Sequence, residues 1–156
     1  ANIGTSVIYS GTVSAATEGT ILGIPSIAVS LATFSNPDFR FAAKFARKVA
    51  TTVLERGGLP TGTLLNVNVP ALPPADIDGV EITCNSTSRF EDIFEKRLDP
   101  RKRVYYWSAG VEQTYDMREG TDSAALRANK VSITPIHFDM TDHAQLSVIK
   151  DWNFSL

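Results

Sequence analysis

Cysteine is nearly absent from this chain, since Cys84 is the only one among 156 residues. One cysteine cannot form a disulfide within the chain, and it cannot build a metal site of several thiolates. Such sparse use of cysteine is typical of proteins that work in a reducing compartment. We therefore expect a cytoplasmic protein without internal disulfides.

Long apolar runs and an excess of charge of one sign are also absent. No stretch approaches the roughly 18 consecutive apolar residues of a membrane-spanning helix, so no membrane partner is expected. The chain has 15 basic and 17 acidic residues, which gives a net charge of −2. Such a weak field does not attract nucleic acid in bulk. Any recognition of a phosphate must therefore be local.

The sequence contains no Asp-Asp pair. Two neighbouring aspartates would supply the hard oxygen ligands that magnesium or manganese prefers. Histidine is scarce as well, with only His137 and His143. These are the side chains that usually titrate near neutral pH and serve as general acids. We predict that neither has a catalytic role and that His143 is structural.

What the sequence does contain is a Ser-Gly-Thr turn that runs into a helix, between Ser10 and Gly19. The first N–H groups of a helix have no intrahelical acceptor, and the helix dipole adds partial positive charge there. Ser10 is a good N-cap, Gly11 allows close approach of the backbone, and Thr12 adds a hydroxyl donor. The turn therefore predicts an anion site; the alternative is an ordinary capped helix.

The rest of the chain alternates predicted strands and helices. We expect a helix over 14–22, a strand over 24–31 buried on both faces, and a helix capped by Ser35-Asn36-Pro37. Strands are predicted over 64–69, 80–83 and 131–136, a hairpin arm over 85–116, and a helix from Asp142. Asn66 and Asn68 alternate with apolar residues, so they are predicted to form a polar face of their strand. This order predicts a three-layer α/β fold.

These motifs together resemble the survival protein SurE family. The family has an Asn-x-Gly loop, a Tyr-Ser-Gly-Thr-Val turn, a Glu-Gly pair and a Gly-x-Pro-Ser-Ile-Ala run in this order and at these spacings. The matching segments are Asn2-Ile3-Gly4, Tyr9-Ser10-Gly11-Thr12-Val13, Glu18-Gly19 and Gly23-Ile24-Pro25-Ser26-Ile27-Ala28, followed by 65–70, 105–107, Thr121-Asp122 and 131–135. The resemblance implies a Rossmann-like fold with a protruding hairpin and a C-terminal helix, here without the family's N-terminal strands.

The resemblance also implies an activity. Members of the family are metal-dependent phosphatases that act on nucleoside 5′- or 3′-monophosphates, and Asn2 would join Ser10, Gly11 and Thr12 in binding the phosphate. The Asp-Asp pair and the other ligands of the magnesium or manganese ion would lie upstream of Ala1. The chain then corresponds to the C-terminal three-fifths of such a protein, and we expect it to be inactive alone. The alternatives are a non-catalytic nucleotide-binding module or an oligomerisation fragment.

A single domain over 1–156 is expected, with sheet and helices in 1–84 and 117–136, the arm in 85–116 and a C-terminal helix or tail in 137–156. The arm carries basic residues, which either contact phosphates of a longer substrate or only solvate a loop, and aromatic residues, which either stack on a base or pack against a neighbouring subunit. We expect a homodimer or tetramer. The basic residues are Arg89, Arg97, Arg101, Lys102 and Arg103, and the aromatic ones are Tyr105, Tyr106 and Trp107.

Three further positions complete the predictions. Glu18 lies about two helical turns beyond Ser10, too far to reach the same anion, and is expected on the helix surface or in a buried structural pair. Ser6 stands where the family usually has an acidic residue, which bears on how the Asn2 loop is held. Thr121-Asp122 is expected to have a structural role.

Overall fold

The computed structural model describes residues 1–35 and 37–155, and the side chains of all of these except 90 and 111–113. The helices are α1 (Gly11–Ile21), α2 (Arg40–Glu55), α3 (Asp122–Arg127) and α4 (Leu146–Lys150), with 3-10 helices at Gly4–Tyr9 and Pro74–Asp76. The strands are β1 (Ile27–Ala32), β2 (Thr63–Pro70), β3 (Val80–Ile82), β4 (Arg89–Leu98), β5 (Val104–Thr114) and β6 (Val131–His137).

Four strands form the central sheet in the order β1-β2-β6-β3. β1 is parallel to β2, β6 is antiparallel to β2, and β3 is parallel to β6. The register places Ser30, Asn68 and Ser132 side by side across three strands. Helices cover both faces of this sheet, so the predicted three-layer α/β architecture is confirmed.

The two faces of the sheet differ in chemistry. Against α2, the sheet is apolar and contributes Leu31, Val67, Val69 and Val131 to a core with Ala42 of the helix. Against α1, only the half of the sheet nearer the amino ends of β1 and β2 is apolar, with a core formed by Val7, Val13, Ala16, Ala28 and Leu64. The half nearer their carboxyl ends is polar, and this half holds the candidate site.

Both long helices have bounds that differ from the predicted ones. α1 spans Gly11–Ile21 and not 14–22, and Ser10 is its N-cap, as the turn predicts: the Ser10 hydroxyl accepts a hydrogen bond from the N–H of Val13 at 3.1 Å. α2 starts at Arg40, so Pro37 is not its first residue; the Asp38 carboxylate accepts from the Arg40 N–H and fixes the chain just ahead of the helix. Asn36 of the predicted cap lies outside the described residues. Gly57 follows the end of α2 with a φ of 84°, a backbone conformation that glycine adopts readily after a helix.

The predicted arm is an antiparallel hairpin of β4 and β5, which form a sheet of their own. Its turn is closed by the Asp99 carboxylate, which accepts from the N–H groups of Arg101 and Arg103. α4 is shorter than the predicted helix from Asp142: the Asp142 carboxylate accepts from the N–H groups of Ala144 and Gln145, but residues 143–145 form a turn and the helix begins at Leu146. No helix in the described ranges is long and apolar enough to cross a membrane.

Candidate functional site

The start of α1 lies near the carboxyl ends of the parallel strands β1 and β2. A short loop over 22–26 joins α1 to β1, so the strand runs back along the helix and its carboxyl end approaches the helix N-terminus. Val13 and Ala16 of α1 pack on Ala28 of β1 and Leu64 of β2, which fixes this arrangement. Ligands of α/β proteins commonly bind at the carboxyl ends of the strands.

The turn at Ser10 leaves hydrogen-bond donors open to solvent. The Ser10 hydroxyl accepts from Val13, and its carbonyl accepts from Ser14 at 2.9 Å. The N–H groups of Gly11 and Thr12 have no acceptor within 1–35 and 37–155, nor does the Thr12 hydroxyl. Gly11 and Thr12 are exposed, and a Cβ on Gly11 would meet nothing within 4 Å. The helix dipole makes these donors suited to an anion.

Asn2 lies apart from this turn, in the polar half of the sheet face. Its side-chain amide donates to the Ser30 hydroxyl at 2.6 Å. No hydrogen bond among the described residues joins it to Ser10, Gly11 or Thr12, and the 3-10 helix Gly4–Tyr9 separates it from them. At about 2 Å of rise per residue that helix spans roughly 10 Å. Asn2 therefore lies near the carboxyl ends of β1 and β2, as the turn does, but the two are not hydrogen-bonded to each other in the described residues.

Asn66 and Asn68 hold the main chain of Asn2. The Asn68 amide accepts from the Asn2 N–H at 2.7 Å and donates to the Asn2 carbonyl at 2.9 Å. Asn66 donates to the same carbonyl at 2.8 Å. Both are fully buried. The predicted polar face of the strand therefore exists, but it faces the Asn2 loop and not water. The signal that could have found them is a pair of strand-disfavoured asparagines two residues apart in a buried strand.

The polar layer continues across the sheet to β6. The Thr83 hydroxyl lies 2.8 Å from that of Ser132 and 2.7 Å from that of Thr134, and all three are buried. The Asn66 Oδ1 atom is buried and has no partner in the described part of the chain. Burying a polar atom without a partner costs about 1–3 kcal/mol, so this layer is retained against a stability penalty.

Asp122 secures the loop two residues beyond Asn2. Its carboxylate is fully buried and accepts from the N–H of Gly4 at 2.9 Å, of Ser86 at 2.9 Å and of Ser123 at 2.7 Å. The Thr121 hydroxyl caps α3 by accepting from Ala124. The structural role expected for Thr121-Asp122 agrees with these bonds.

Serine hydroxyls connect the same loop to the base of the arm. Ser123 lies 2.7 Å from both Ser86 and Ser88, whose hydroxyl accepts from the Asp116 N–H. The Ser88 carbonyl accepts from the Thr5 N–H at 2.9 Å. Hydrogen bonding with the Arg118 guanidinium holds the pKa of Asp116 well below its usual range, so this carboxylate stays charged. Loop and arm are thus joined by a continuous set of hydrogen bonds.

The remaining predicted residues lie away from the turn. His137 accepts from the Asp139 N–H, and His143 lies 2.7 Å from the Asp139 carboxylate; both histidines are exposed. Glu18 is exposed on α1, as expected for a helix-surface residue. The Ser6 N–H donates to the Ile3 carbonyl inside the 3-10 helix, so it helps close that turn. The basic residues of the arm include Arg89, which pairs with Glu91, and Arg97, which pairs with Glu95 and lies over Trp107.

A metal ion does not fit the described residues. They contain no group of three or more histidine, cysteine, aspartate or glutamate side chains that could hold one. Asp122, which binds the Asn2 loop, has both carboxylate oxygens committed to backbone N–H groups. We therefore assign no chemical step through a metal to these residues.

Comparison with known proteins gives concordant matches. The family model of the survival protein SurE matches residues 1–92. The 5′-nucleotidase SurE of Heliobacterium modesticaldum is 48% identical over 151 residues, which are 97% of this chain and 55% of that protein. That of Moorella thermoacetica is 50% identical over 144 residues, 92% of this chain and 55% of that protein. The chain therefore spans little more than half the length of these relatives.

A solved structure matches as well. The SurE protein from Aquifex aeolicus superposes with a TM-score of 0.84 at 36% identity, covering 99% of this chain and 62% of that one. The fold resemblance therefore extends beyond the segment that the family model matches.

Gly4 and Gly11 provide a matched pair of substitutions. A Cβ on Gly4 would lie 2.4 Å from the Ser88 carbonyl oxygen, at a φ of 53° that side chains rarely adopt. We expect Gly4→Ala to lower the free energy of unfolding by more than about 1 kcal/mol, and Gly11→Ala to leave it unchanged or raise it slightly. Denaturant unfolding of both variants measures this. Equal stability of the two variants would contradict the described packing of the Asn2 loop.

Proposed function

The chain belongs to the survival protein SurE family, and we therefore propose that it forms the phosphate-binding part of a phosphomonoesterase. The substrates would be nucleoside 5′-monophosphates, with 3′-monophosphates as a second class. The relatives named above are 5′-nucleotidases, and this chain covers 55% of the length of each of them. The activity of the whole protein is thus a proposal, as is its place in the reducing cytoplasm, supported by its single cysteine.

The observation that carries this proposal is the exposed start of α1. The free N–H groups of Gly11 and Thr12 and the hydroxyls of Ser10 and Thr12 converge at one helix end, where the dipole favours negative charge. Donors held in place before the reaction stabilise charge that develops on a phosphoryl group at no cost of reorganisation. Ser10, Gly11 and Thr12 would bind the phosphate directly, and Asn2 would complete the edge of the site.

The divalent magnesium or manganese ion expected for the complete protein stays a prediction. The described residues offer it no cluster of ligands. The part of the mechanism that we assign to this chain is therefore limited to binding and orienting the phosphate.

The first prediction concerns catalysis by the chain alone and in a longer protein. We expect the 156 residues to bind phosphate but not to hydrolyse AMP with added manganese. A chimera in which they replace the matching segment of the Heliobacterium modesticaldum relative should be active. Release of inorganic phosphate measures both. Turnover by the chain alone at the rate of that relative would overturn our placement of the metal ligands. A folded chimera that binds AMP without turnover would favour the non-catalytic alternative.

A substitution at the turn tests the role assigned to Thr12. In the active chimera, Thr12→Val keeps the shape of the side chain but removes a donor. Loss of one preorganised donor typically costs about a hundredfold or more in rate, so kcat should fall by this order. Thr20→Val is the control, because the Thr20 hydroxyl donates to the Ala16 carbonyl at the far end of α1. Neither substitution should move the melting temperature by much. An unchanged kcat for Thr12→Val would reduce Thr12 to a helix-start residue.

We propose further that the chain assembles as a homodimer or tetramer through the arm β4-β5. A two-stranded ribbon is marginally stable alone, and this one leaves apolar side chains in solvent. Phe94 is 60% exposed, Tyr106 66% and Trp107 52%. Phe94 and Tyr106 lie on one face of the ribbon and Trp107 on the other. Exposed apolar surface is typical of contact sites, so we propose that both faces contribute to the contact. The aromatic residues are therefore assigned to a neighbouring copy and not to stacking on a base; the side chain of Phe90 lies outside the described part.

The arm can be removed without disturbing its base. Replacement of residues 91–112 by a short Gly-Ser linker keeps Ser88 and its bonds, and light scattering should then report a smaller assembly than the parent. A milder variant, Tyr106→Glu with Trp107→Glu, changes one aromatic residue on each face of the ribbon while keeping the ribbon itself. A monomeric parent, or an assembly that survives both changes, would exclude the arm as the contact.

A further inference from the structure

We propose that Asn68 is a positioning residue, whose side-chain amide holds the main chain of Asn2 and thereby sets the start of α1 for phosphate. The inference rests on the proposed phosphate site. It adds a residue that lies on a different strand, 66 positions away from Asn2 in sequence, and that does not itself reach the anion.

The first step is the two-point hold on Asn2. The Asn68 Oδ1 atom accepts from the Asn2 N–H, and its Nδ2 group donates to the Asn2 carbonyl, so one amide occupies both polar groups of one residue. This fixes the position and the direction of the chain at that point. An amide presents an acceptor and a donor in one plane, whereas an ionised aspartate has no donor and a leucine has neither.

The second step is that the surroundings of the Asn68 amide restrict its side-chain conformation. Asn68 is fully buried between Val67 and Val69, which are fully buried as well. Its strand is central in the sheet, paired with β1 on one side and β6 on the other. Ser30, in register with Asn68, accepts from the Asn2 side chain and adds a third point of attachment.

The third step transmits this position to the turn. The Asp122 carboxylate holds the Gly4 N–H, so the chain enters the 3-10 helix from a fixed point. Val7 of that helix is buried in the same core as Val13 and Ala16 of α1. Asn2, Gly4 and Val7 are thus successive attachment points on the chain that leads to α1, and loss of the first would shift the path of the chain to the donors of Gly11 and Thr12.

The test is Asn68→Asp, which keeps the shape but replaces the donor by an oxygen. When ionised, this carboxylate would face the Asn2 carbonyl oxygen and push the loop away. Burial and the nearby carbonyl would raise its pKa, so a protonated form that can again donate becomes populated as pH falls. Positioning through this donor therefore predicts a defect that is large at high pH and shrinks at low pH.

Calorimetric titration with inorganic phosphate measures the dissociation constant of each variant relative to the parent chain at the same pH, which removes the protonation of phosphate itself. We expect the Asn68→Asp ratio to reach about tenfold or more near pH 8 and to fall to about threefold or less near pH 5. Asn85→Asp makes the same chemical change at an exposed position and should keep a ratio near one throughout.

The outcomes separate the two proposals. No phosphate binding by the parent chain would overturn the proposed function and this inference with it. Binding by the parent with an Asn68→Asp ratio near one, or with a ratio that does not change with pH, would overturn the positioning role alone. If near-UV circular dichroism shows that Asn68→Asp does not fold, Ser30→Ala takes its place. That variant removes only the anchor of the Asn2 side chain, and a ratio near one for it would count against the proposal.

Discussion

The hydrogen-bonded hold on Asn2 is the interaction on which the candidate site depends. Two fully buried asparagines of β2, Asn66 and Asn68, form hydrogen bonds with the main chain of Asn2, which lies more than 60 positions earlier in the sequence. Buried amides are costly unless they are paired. This pairing explains why the sheet face under α1 is polar near the carboxyl ends of β1 and β2, although it is apolar near their amino ends. It also holds the Asn2 loop at those carboxyl ends.

From that hold, other features follow in order. Asp122 takes the N–H of Gly4 and of Ser86, and the hydroxyls of Ser86, Ser88 and Ser123 join the loop to the base of the arm. Glycine is required at position 4 because a Cβ there would lie only 2.4 Å from the Ser88 carbonyl oxygen. The loop over 2–5, the start of α3 and the base of the hairpin therefore share one set of hydrogen bonds, although they come from distant parts of the chain.

Local patterns in the sequence predicted the strands, the turn at Ser10 and the hairpin, because apolar periodicity and turn residues are short-range signals. They misplaced the start of α2 and the extent of α4, where Asp38 and Asp142 bind backbone N–H groups and shift the helix starts. They also could not reveal what Asn66 and Asn68 face. The alternation of polar and apolar residues predicts that one side of β2 is polar. That this side is buried follows from its pairing with Asn2, which is 66 positions away from Asn68 and so gives no local signal. Ser86 and Ser88 were missed for the same reason, and for Asp122 the sequence predicted a structural role but not its partners.

The most direct test of a phosphate site at the start of α1 is an amide nuclear magnetic resonance titration of the chain with inorganic phosphate. A phosphate bound there accepts hydrogen bonds from the N–H groups of Gly11 and Thr12. Their resonances should shift in a saturable way, together with smaller shifts in residues 2–10, while the amides of α2 and α4 stay in place. Saturable shifts confined to other residues, or no saturable shift at Gly11 and Thr12, would contradict the account.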